Sequence, residues 1–412
     1  MNPYPYRVVV TGMACISPVG HEWPEILNRL QQANNAVQYM HQWDDYADLN
    51  TRLGAPAAAF DLPAHYTRKV TRSMGRVALM AVRATERALE DAGLLNDPWL
   101  HSGEIGISYG SSSGSPNAIC DFGQIPVQKR VEGVNATTYI RMMSHTAPVN
   151  IGVFFGLTGR IIPTSSACTS GSQGIGYAYE AIASGRQKAM VAGGAEELDV
   201  TQAAVFDTLY ATSTRNDAPE LSPRPFDAGR DGLVLGEGAA TLILEEYEHA
   251  KARGAKIYAE IVGFGTNSDG KHVTQPQPQT MEQALRLALT QSGVNPDEIG
   301  YVNAHGTATE HGDLGEGLAT WNVFQRDVPI SSLKSYMGHT LGACGAIEAL
   351  FSIQMMHEGW FCPTVNLTQV DERLPPLGFL QNGWSNSNVT YVMSNNFAFG
   401  GINTSLIFKR LD

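Results

Sequence analysis

One short pattern occurs twice in this chain, once in each half. In the first copy a helical run ending in Ala88-Leu-Glu-Asp-Ala-Gly-Leu94 leads after a loop to Glu104-Ile-Gly-Ile107. In the second copy Ala288-Leu-Thr-Gln-Ser-Gly-Val294 leads to Glu298-Ile-Gly-Tyr301. Internal similarity of this kind indicates a duplicated supersecondary unit. The chain is therefore expected to fold as two similar halves that pack against each other.

Apolar strand-like runs alternate with helical patterns along both halves. The predicted strands are Arg7–Val10, Glu104–Ser108, Ala189–Ala192, Ala240–Leu244, Tyr258–Phe264, Tyr301–Asn303, Val389–Met393 and Ser405–Phe408. The predicted helices are Arg76–Ala92, Cys168–Ser184, Met281–Ser292 and Gly342–His357. This alternation predicts an α/β fold.

The length of the chain agrees with such a duplication. Its 412 residues are long for one simple core and fit two domains or a doubled unit. The junction is expected near residues 245–260, with the charged segment Glu245–Arg253 as a connecting helix. We therefore predict an N-terminal half at 1–250 and a C-terminal half at 251–412.

Composition excludes several classes of function. A net charge of -12 argues against general nucleic-acid binding. No apolar run approaches the ~20 residues that span a bilayer, so no membrane span is expected. The five cysteines form no C-x-x-C pair, which gives no sign of a zinc site or a redox dithiol. An odd cysteine count without a signal peptide predicts a cytoplasmic protein.

Cys168 is the strongest candidate nucleophile. It lies in Pro163-Thr-Ser-Ser-Ala-Cys168-Thr-Ser-Gly, where a strand is expected to turn into a helix. Free N–H groups and the positive dipole end at a helix N-terminus stabilise a thiolate and can also hold an oxyanion. The alternative is an inert buried cysteine, which is the commoner state of a lone cysteine.

Two histidines and a lysine follow strands in the second half. His305 lies just after Tyr301–Asn303, and His339 follows the apolar run Pro329–Leu333 and Lys334. The ends of strands are where α/β sheets present ligand-binding groups. Taken alone, each histidine could equally cap a loop. Together with Cys168 they indicate acyl chemistry.

A glycine-rich turn near the C-terminus offers a further backbone donor. Asn395-Asn-Phe-Ala-Phe-Gly-Gly401 follows a predicted strand. It could be a tight surface turn. It could instead bring backbone close to a ligand, with the N–H of Phe399 as a second oxyanion donor.

The combination and order of these motifs resemble the elongating β-ketoacyl-acyl carrier protein synthases, which have a thiolase-like fold and a Cys-His-His site. The resemblance covers nearly the whole chain. It rests on Val8-Val-Val-Thr-Gly-Met13, Ser166-Ala-Cys-Thr-Ser-Gly171, Ala192-Gly-Gly-Ala-Glu196, Arg224-Pro-Phe-Asp227, Arg230-Asp-Gly232, Gly236-Glu-Gly238, Asn303-Ala-His-Gly-Thr307, Lys334-Ser, Gly338-His339, Phe399-Gly-Gly401 and Asn403.

The resemblance implies a fold and a reaction. The fold would be a layered αβαβα arrangement of duplicated α/β halves. The reaction would be decarboxylative Claisen condensation of an acyl group with malonyl-acyl carrier protein, in type II fatty acid biosynthesis. No metal and no freestanding cofactor would be needed, since phosphopantetheine arrives on the carrier. The partners would be acyl carrier protein and a second copy in a homodimer, or a related subunit in a heterodimer.

The resemblance also assigns roles to individual residues. Cys168 corresponds to the acylated nucleophile, and His305 and His339 to the pair that stabilises the carbanion formed as malonyl thioester loses CO₂. Lys334 corresponds to the supporting lysine and Glu348 to its ion-pair partner. Phe399 corresponds to the gating aromatic residue that shares the oxyanion hole with Cys168. Thr307 and Thr309 correspond to residues that bind the phosphopantetheine arm.

Some positions depart from the pattern of common fatty-acid enzymes. Glu310 and His311 replace proline and a small or apolar residue, Ile402 replaces threonine, and Ser113 occupies a place where some relatives have a bulky aliphatic residue at the pocket floor. These changes make a specialised type II polyketide or aryl polyene pathway an alternative. Candidates for carrier docking are Arg68, Lys69, Arg72, Lys129 and Arg130, although a solvated helix face is an equally good interpretation.

Three other functions would use a similar chain. A non-catalytic chain-length-factor subunit would lack the cysteine. A degradative thiolase would be expected to carry a second catalytic cysteine near the C-terminus, and residues Asn395–Asn403 contain none. A cysteine hydrolase would need a general base that admits water, and its acyl-enzyme would not persist.

Overall fold

The computed structural model describes residues 4–411, and in them it contains sixteen strands and thirteen α-helices. The strands are β1 Val8–Ile16, β2 Gln38–Tyr39, β3 Leu53–Ala55, β4 Ile105–Gly110, β5 Ile161–Thr164, β6 Ala189–Glu196, β7 Leu235–Gly236, β8 Gly238–Glu246, β9 Ala259–Ser268, β10 Ile299–Asn303, β11 Pro329–Ser331, β12 Trp360–Phe361, β13 Gly378–Phe379, β14 Trp384–Ser385, β15 Tyr391–Phe397 and β16 Ile402–Lys409. The helices are α1 Trp23–Gln31, α2 Arg68–Thr71, α3 Arg76–Asp91, α4 Pro116–Gln128, α5 Ala136–Met142, α6 Thr146–Phe155, α7 Ser170–Ala183, α8 Val200–Asp207, α9 Tyr247–Ala252, α10 Pro278–Ser292, α11 Glu310–Phe324, α12 Lys334–Met337 and α13 Cys344–Glu358.

The duplication is visible in the order and direction of the strands. The large sheet runs β13-β11-β10-β15-β16-β9-β1-β8-β6-β4-β5. The five strands β5-β4-β6-β8-β1 of the first half repeat as β11-β10-β15-β16-β9 in the second. In both sets the first three strands are parallel and the last two join by antiparallel pairs. The two sets meet where β1 pairs with β9, with Val8 opposite Ile261.

The apolar residues form layers on both faces of these half-sheets. One cluster packs α3 and α6 against the first half-sheet, and another packs α10 and α11 against the second. The largest cluster contains α7 and α13 together with strand residues from both halves. Two central helices between two half-sheets, with helices outside each, give the predicted αβαβα arrangement.

The two central helices touch through glycine. A Cβ atom on Gly171 of α7 would lie 2.9 Å from the backbone nitrogen of Ala346 in α13. A Cβ atom on Gly345 would lie 2.7 Å from the backbone nitrogen of Ser172. Only residues without side chains let the helix backbones approach this closely. The N-terminal ends of α7 and α13 are thereby brought together.

The predicted elements are present, with longer strands than expected. The strand predicted at Ala189–Ala192 continues through Gly193 and Gly194 to Glu196, because the backbone ladder with β8 continues through residues of low strand propensity. The helix predicted from Cys168 begins as a 3₁₀ turn, Ala167–Thr169, and becomes α-helical at Ser170. The predicted connector Glu245–Arg253 is shorter, since Glu245 and Glu246 still belong to β8.

The boundary between residues 250 and 251 stays a prediction. It falls inside α9, the short helix that joins β8 to β9. Among residues 4–411 no helix is both long and apolar enough to cross a membrane.

Candidate active site

Cys168 lies on a sharp turn between β5 and α7. Ala167, just before it, has a φ of 50°, in the left-handed region that non-glycine residues rarely adopt. Ser170 stabilises this turn, because its Oγ donates to the Ala167 carbonyl at 2.8 Å and accepts the N–H of Ser166 at 3.0 Å. The side chain of Cys168 is buried against the protein on one side and lines a cavity on the other.

His339 contacts the sulfur of Cys168 directly. Its Nε2 lies 3.0 Å from Cys168 Sγ, and the N–H of Leu341 donates to its Nδ1 at 3.2 Å. Because Nδ1 accepts a hydrogen bond, a neutral imidazole here carries its proton on Nε2. Gly338, with a φ of 65°, provides the turn that directs His339 toward α7.

His305 completes the group from the end of β10. Its ring centroid lies 5.2 Å from that of His339, with the two ring planes nearly perpendicular at 88°. The backbone N–H groups of His305 and Gly306 donate to the two carboxylate oxygens of Glu316, at 2.8 and 2.7 Å. Burial raises the pKa of Glu316 to about 8, and these two N–H groups oppose that shift.

Both imidazoles are held in the neutral form. Burial, reinforced by the ammonium of Lys334, lowers the pKa of His305 and of His339 well below the ordinary value. His339 also lowers the pKa of His305. A neutral imidazole can donate a single N–H to a developing negative charge without first losing a proton.

Lys334 and Glu348 form a fully buried ion pair beside the histidines. Lys334 Nζ lies 2.5 Å from Glu348 Oε1, and Asn396 Nδ2 donates to the other carboxylate oxygen at 2.7 Å. Burial is the largest single effect on Lys334 and would lower its pKa, but the Glu348 carboxylate together with Cys344 and Glu316 outweighs burial, and the pKa is raised. At Glu348 burial has a larger effect than the Lys334 ammonium, and it raises the pKa of the carboxyl group. The short contact and the amide donor favour the ionised pair.

Two backbone N–H groups act on the Cys168 sulfur. Burial raises the pKa of the thiol, while the N–H of Phe399 and the N–H of Cys168 itself, together with Lys334, oppose the rise. Two N–H donors this close to the sulfur could also donate to the carbonyl oxygen of a thioester that the sulfur attacks, which is what an oxyanion hole does. The ring of Phe399 is 38% exposed and packs edge-on against Phe206 at 5.8 Å.

A cavity of about 960 Å³ connects the surface to these groups. Its walls include Cys168, both histidines and the threonines Thr307 and Thr309, whose hydroxyls lie 2.9 Å apart. A cavity of this size accommodates a long flexible substrate arm. The same three side chains, Cys168, His305 and His339, also have ligand atoms within 4.8 Å of one another, a spacing that a metal ion could use. That this site works without a metal stays a prediction.

The structure brings together all eight residues proposed from the sequence. Cys168, His305, His339, Thr307, Thr309 and Phe399 line the cavity, and Lys334 and Glu348 lie behind it. Their individual roles stay predictions. In contrast, Ser113, Arg68, Lys69, Arg72, Lys129 and Arg130 do not line this cavity.

Sequence reasoning missed the groups that hold the histidines in place. Glu316 binds the His305 loop, and Asp313 accepts the N–H groups of Phe226 and Ala308 at 2.7 and 3.1 Å. Both acids lie on α11, three positions apart, among glycines. The sequence signal that could have identified these two acids is their spacing, which places both on the same face of the helix that follows the His305 loop.

Comparison with known proteins agrees with this geometry. The family model "Beta-ketoacyl synthase, N-terminal domain" matches residues 6–250, and the corresponding C-terminal domain model matches residues 258–368. A 3-oxoacyl-[acyl-carrier-protein] synthase 2 from Vibrio cholerae is 38% identical over 98% of this chain and 99% of its own length. A crystal structure of a β-ketoacyl synthase from Burkholderia phymatum is 57% identical with a TM-score of 0.97, covering 99% of this chain and 100% of that one. A chain of the ishigamide ketosynthase/chain length factor is 28% identical with a TM-score of 0.89, covering 99% and 100% respectively.

The buried ion pair gives a testable consequence for stability. Lys334→Met and Glu348→Gln should each lower the free energy of unfolding by about 3–5 kcal/mol, because each leaves one buried charge unpaired. The double variant should lose less than the sum, with a coupling of about 1–3 kcal/mol. Denaturant unfolding of the four proteins measures this cycle.

An exposed pair provides the control. On α10, Arg286 Nε lies 2.8 Å from Glu282 Oε1. The coupling free energy of this pair should be only about 0.3–0.5 kcal/mol. Equal coupling free energies in the two pairs would contradict the prediction that the buried Lys334–Glu348 pair stabilises the protein more than an exposed pair does.

Proposed function

The chain belongs to the β-ketoacyl synthase family, and from that premise we propose that it extends an acyl chain held on Cys168. The reaction is decarboxylative Claisen condensation of that acyl group with malonyl-acyl carrier protein, which yields β-ketoacyl-acyl carrier protein. The enzyme is thus an acyltransferase of the 3-oxoacyl-acyl carrier protein synthase type. The observation that carries this proposal is the contact of His339 Nε2 with Cys168 Sγ, with His305 alongside.

The first half-reaction moves the acyl group onto the enzyme. Cys168 sulfur attacks the thioester carbonyl, and the N–H groups of Cys168 and Phe399 stabilise the oxyanion. The pantetheine thiol leaves as the new thioester forms. The proton that Cys168 loses ends on the departing thiol, so the exchange is balanced.

The second half-reaction forms the carbon–carbon bond. Malonyl thioester loses CO₂, and the negative charge that develops on its carbonyl oxygen accepts N–H bonds from His339 and His305. The carbanion then attacks the acyl-cysteine carbonyl, the bond from that carbonyl carbon to the Cys168 sulfur breaks, and the released Cys168 thiolate takes up a proton from solvent. The neutral state of both imidazoles supports these roles, since each can donate without a change of protonation.

The alternative functions fit these residues less well. A chain-length-factor-like subunit has no use for a nucleophile with two N–H donors and two neutral imidazoles around it. A hydrolase needs a basic group to activate water, and the low pKa of both histidines makes them weak bases. The free cysteines within residues 4–411 include none in the Asn395–Asn403 turn, where a second thiolase cysteine was expected.

The pathway has two candidates. We propose type II fatty acid biosynthesis, because the curated relative from Vibrio cholerae is named a 3-oxoacyl-[acyl-carrier-protein] synthase. The alternative is a specialised polyketide or aryl polyene pathway, which the likeness to the ishigamide ketosynthase/chain length factor supports.

Acyl carrier protein is the proposed partner, and the phosphopantetheine arm that it delivers is the only prosthetic group proposed. Thr307 and Thr309 would bind this arm in the cavity. The candidate docking cations Arg68, Lys69, Arg72, Lys129 and Arg130 are all exposed, and their side chains form no hydrogen bond or ion pair with other residues in the described part of the chain. Unpaired cations on a chain of charge -12 fit an acidic partner.

We also propose a cytoplasmic homodimer, with a heterodimer as the alternative. β5 is the last strand of the large sheet, so one of its edges is unpaired. Ile161 on β5 is 42% exposed, and Val153 on the neighbouring α6 is 78% exposed. An exposed apolar strand edge is a common site of strand pairing between chains. A sedimentation mass of one chain, 44.5 kDa, for the purified protein would contradict the homodimer.

Intact-mass analysis tests the proposed reaction. With acyl-carrier protein alone, the enzyme should gain one acyl mass that persists. Adding malonyl-carrier protein should remove it and produce β-ketoacyl-carrier protein. Cys168→Ala should gain no acyl mass, whereas Cys120→Ala, the exposed cysteine, should behave as wild type.

The same assay examines carrier docking. Charge reversal at Lys129 and Arg130 should slow acylation from the carrier but not from free acyl-pantetheine.

An acyl label on a cysteine other than Cys168, or acyl-enzyme that hydrolyses without malonyl-carrier protein, would contradict the proposed function.

A further inference from the structure

Three charged side chains are buried together behind residues 305–309, the His305 loop. Arg230 lies between α8 and β7, Asp313 lies on α11, and Asp371 lies between β12 and β13. Their side chains are 3%, 0% and 5% exposed, respectively. One guanidinium is thus shared by two buried carboxylates from distant parts of the chain.

Asp313 holds the His305 loop in an unusual conformation. Its Oδ1 accepts the N–H of Ala308 at 3.1 Å, and its Oδ2 accepts the N–H of Phe226 at 2.7 Å. Ala308 has a φ of 66°, in the left-handed region that is strained for a residue other than glycine. The Asp313 carboxylate therefore stabilises a backbone that would otherwise relax. Thr307 and Thr309, on either side of Ala308, line the cavity.

Arg230 is tied to Asp371 more closely than to Asp313. Its Nη1 lies 2.7 Å from Asp371 Oδ2, whereas its Nε lies 3.6 Å from Asp313 Oδ2, beyond hydrogen-bond length. Arg230 Nε is buried and has no hydrogen-bond partner among residues 4–411. A buried donor without a partner is costly, so other contacts must keep the guanidinium in place. Those contacts are the Asp371 carboxylate and the carbonyls of Asp227 and Glu310, at 2.9 and 3.4 Å.

The separation between Arg230 and Asp313 leaves the Asp313 oxygens to the backbone. Burial raises the pKa of Asp313 to about 6, and the N–H of Phe226, the charge of Arg230 and the N–H of Ala308 oppose that rise. A guanidinium that closed onto Asp313 would compete with the two N–H groups for its oxygens. At its present distance Arg230 stabilises the negative charge of Asp313 without displacing either N–H group.

We propose that Asp371 is a positioning residue, which tethers Arg230 away from Asp313 so that Asp313 can hold the His305 loop in the shape that binds the phosphopantetheine arm. The inference rests on the proposed function and adds to it a residue that does not line the cavity. The arm meets the loop at its two threonines. A shifted loop therefore weakens binding of the arm and leaves the Cys168 sulfur unchanged.

Asp371→Asn tests the tether, because it removes the charge at nearly constant shape. With acyl-pantetheine, the concentration that gives half-maximal acylation of Cys168 should rise about three- to tenfold, which is what the loss of one hydrogen bond to the arm costs. The rate at which iodoacetamide, a reagent without the arm, alkylates Cys168 should stay within about twofold of wild type. Intact mass follows both reactions, and peptide mass locates the modified cysteine.

Deuterium uptake reports the state of the loop directly. Peptides that contain residues 304–309 should exchange faster in Asp371→Asn than in wild type, because the Ala308 N–H loses its fixed acceptor.

Two variants separate the tether from other effects. Glu260→Gln alters a carboxylate that is 9% exposed and lies 2.7 Å from Arg7, a pair of the same kind that does not line the cavity. Arg373→Gln removes the half-exposed partner of Asp371 and leaves Arg230 in place. Neither variant should change the half-maximal concentration or the deuterium uptake.

An unchanged half-maximal concentration in Asp371→Asn would overturn the inference. Equal slowing of alkylation, which indicates general damage to the site, would overturn it as well, as would the same change in Arg373→Gln. If acyl-pantetheine does not acylate Cys168 in the wild type, the proposed function itself fails, and the deuterium uptake still decides whether Asp371 holds the loop.

Discussion

The backbone contact between α7 and α13 is the constraint on which the rest of the molecule depends. Cys168 precedes α7, and Glu348 and the Leu341–Ala343 turn belong to or precede α13. These groups come from different halves of the chain and meet because Gly171 and Gly345 have no side chains. Any Cβ atom there would push the helices apart and separate the nucleophile from the groups around it. The Cys344 thiol, which donates to the Cys168 carbonyl at 3.2 Å, shows how close the two helix starts are.

Burial at this crossing sets the protonation of the whole site. The imidazoles of His305 and His339 lose solvation, and the nearby Lys334 ammonium makes their protonation still less favourable. Lys334 can remain charged there only because the Glu348 carboxylate is its counter-ion and the Asn396 amide donates a hydrogen bond to that carboxylate. The ion pair thus acts on the reaction indirectly, through the protonation state of two neighbouring rings. The result is a pair of N–H donors facing a thiol, which is suited to stabilising negative charge and poorly suited to activating water.

Much of the fold follows from local pattern, whereas the supporting contacts do not. The α7 and α13 helices, and strands such as β10 that precede a site residue, have long apolar or small-residue runs that predict them directly. β5 was predicted only as a strand that turns into the Cys168 helix, without its bounds, because Ile161 and Pro163 are exposed and the strand is only four residues long. Glu316, Asp313 and Asn396 were missed for another reason. Each binds a group distant in sequence or in a loop, and no periodicity encodes such a contact. The Ser113 position was linked to the acyl pocket by resemblance alone, and its contact with Gln202 required coordinates.

The central claim is that two neutral imidazoles stabilise the charge formed on decarboxylation. The direct measurement is the rate of CO₂ release from malonyl-carrier protein by wild type, His305→Ala and His339→Ala, together with the rate of Cys168 acylation. Loss of one N–H donor to a developing oxyanion typically costs about 3 kcal/mol, or roughly a hundredfold in rate. Each variant should therefore release CO₂ about a hundredfold more slowly and still accept an acyl group on Cys168. Unchanged CO₂ release in both variants, with acylation lost instead, would contradict the account.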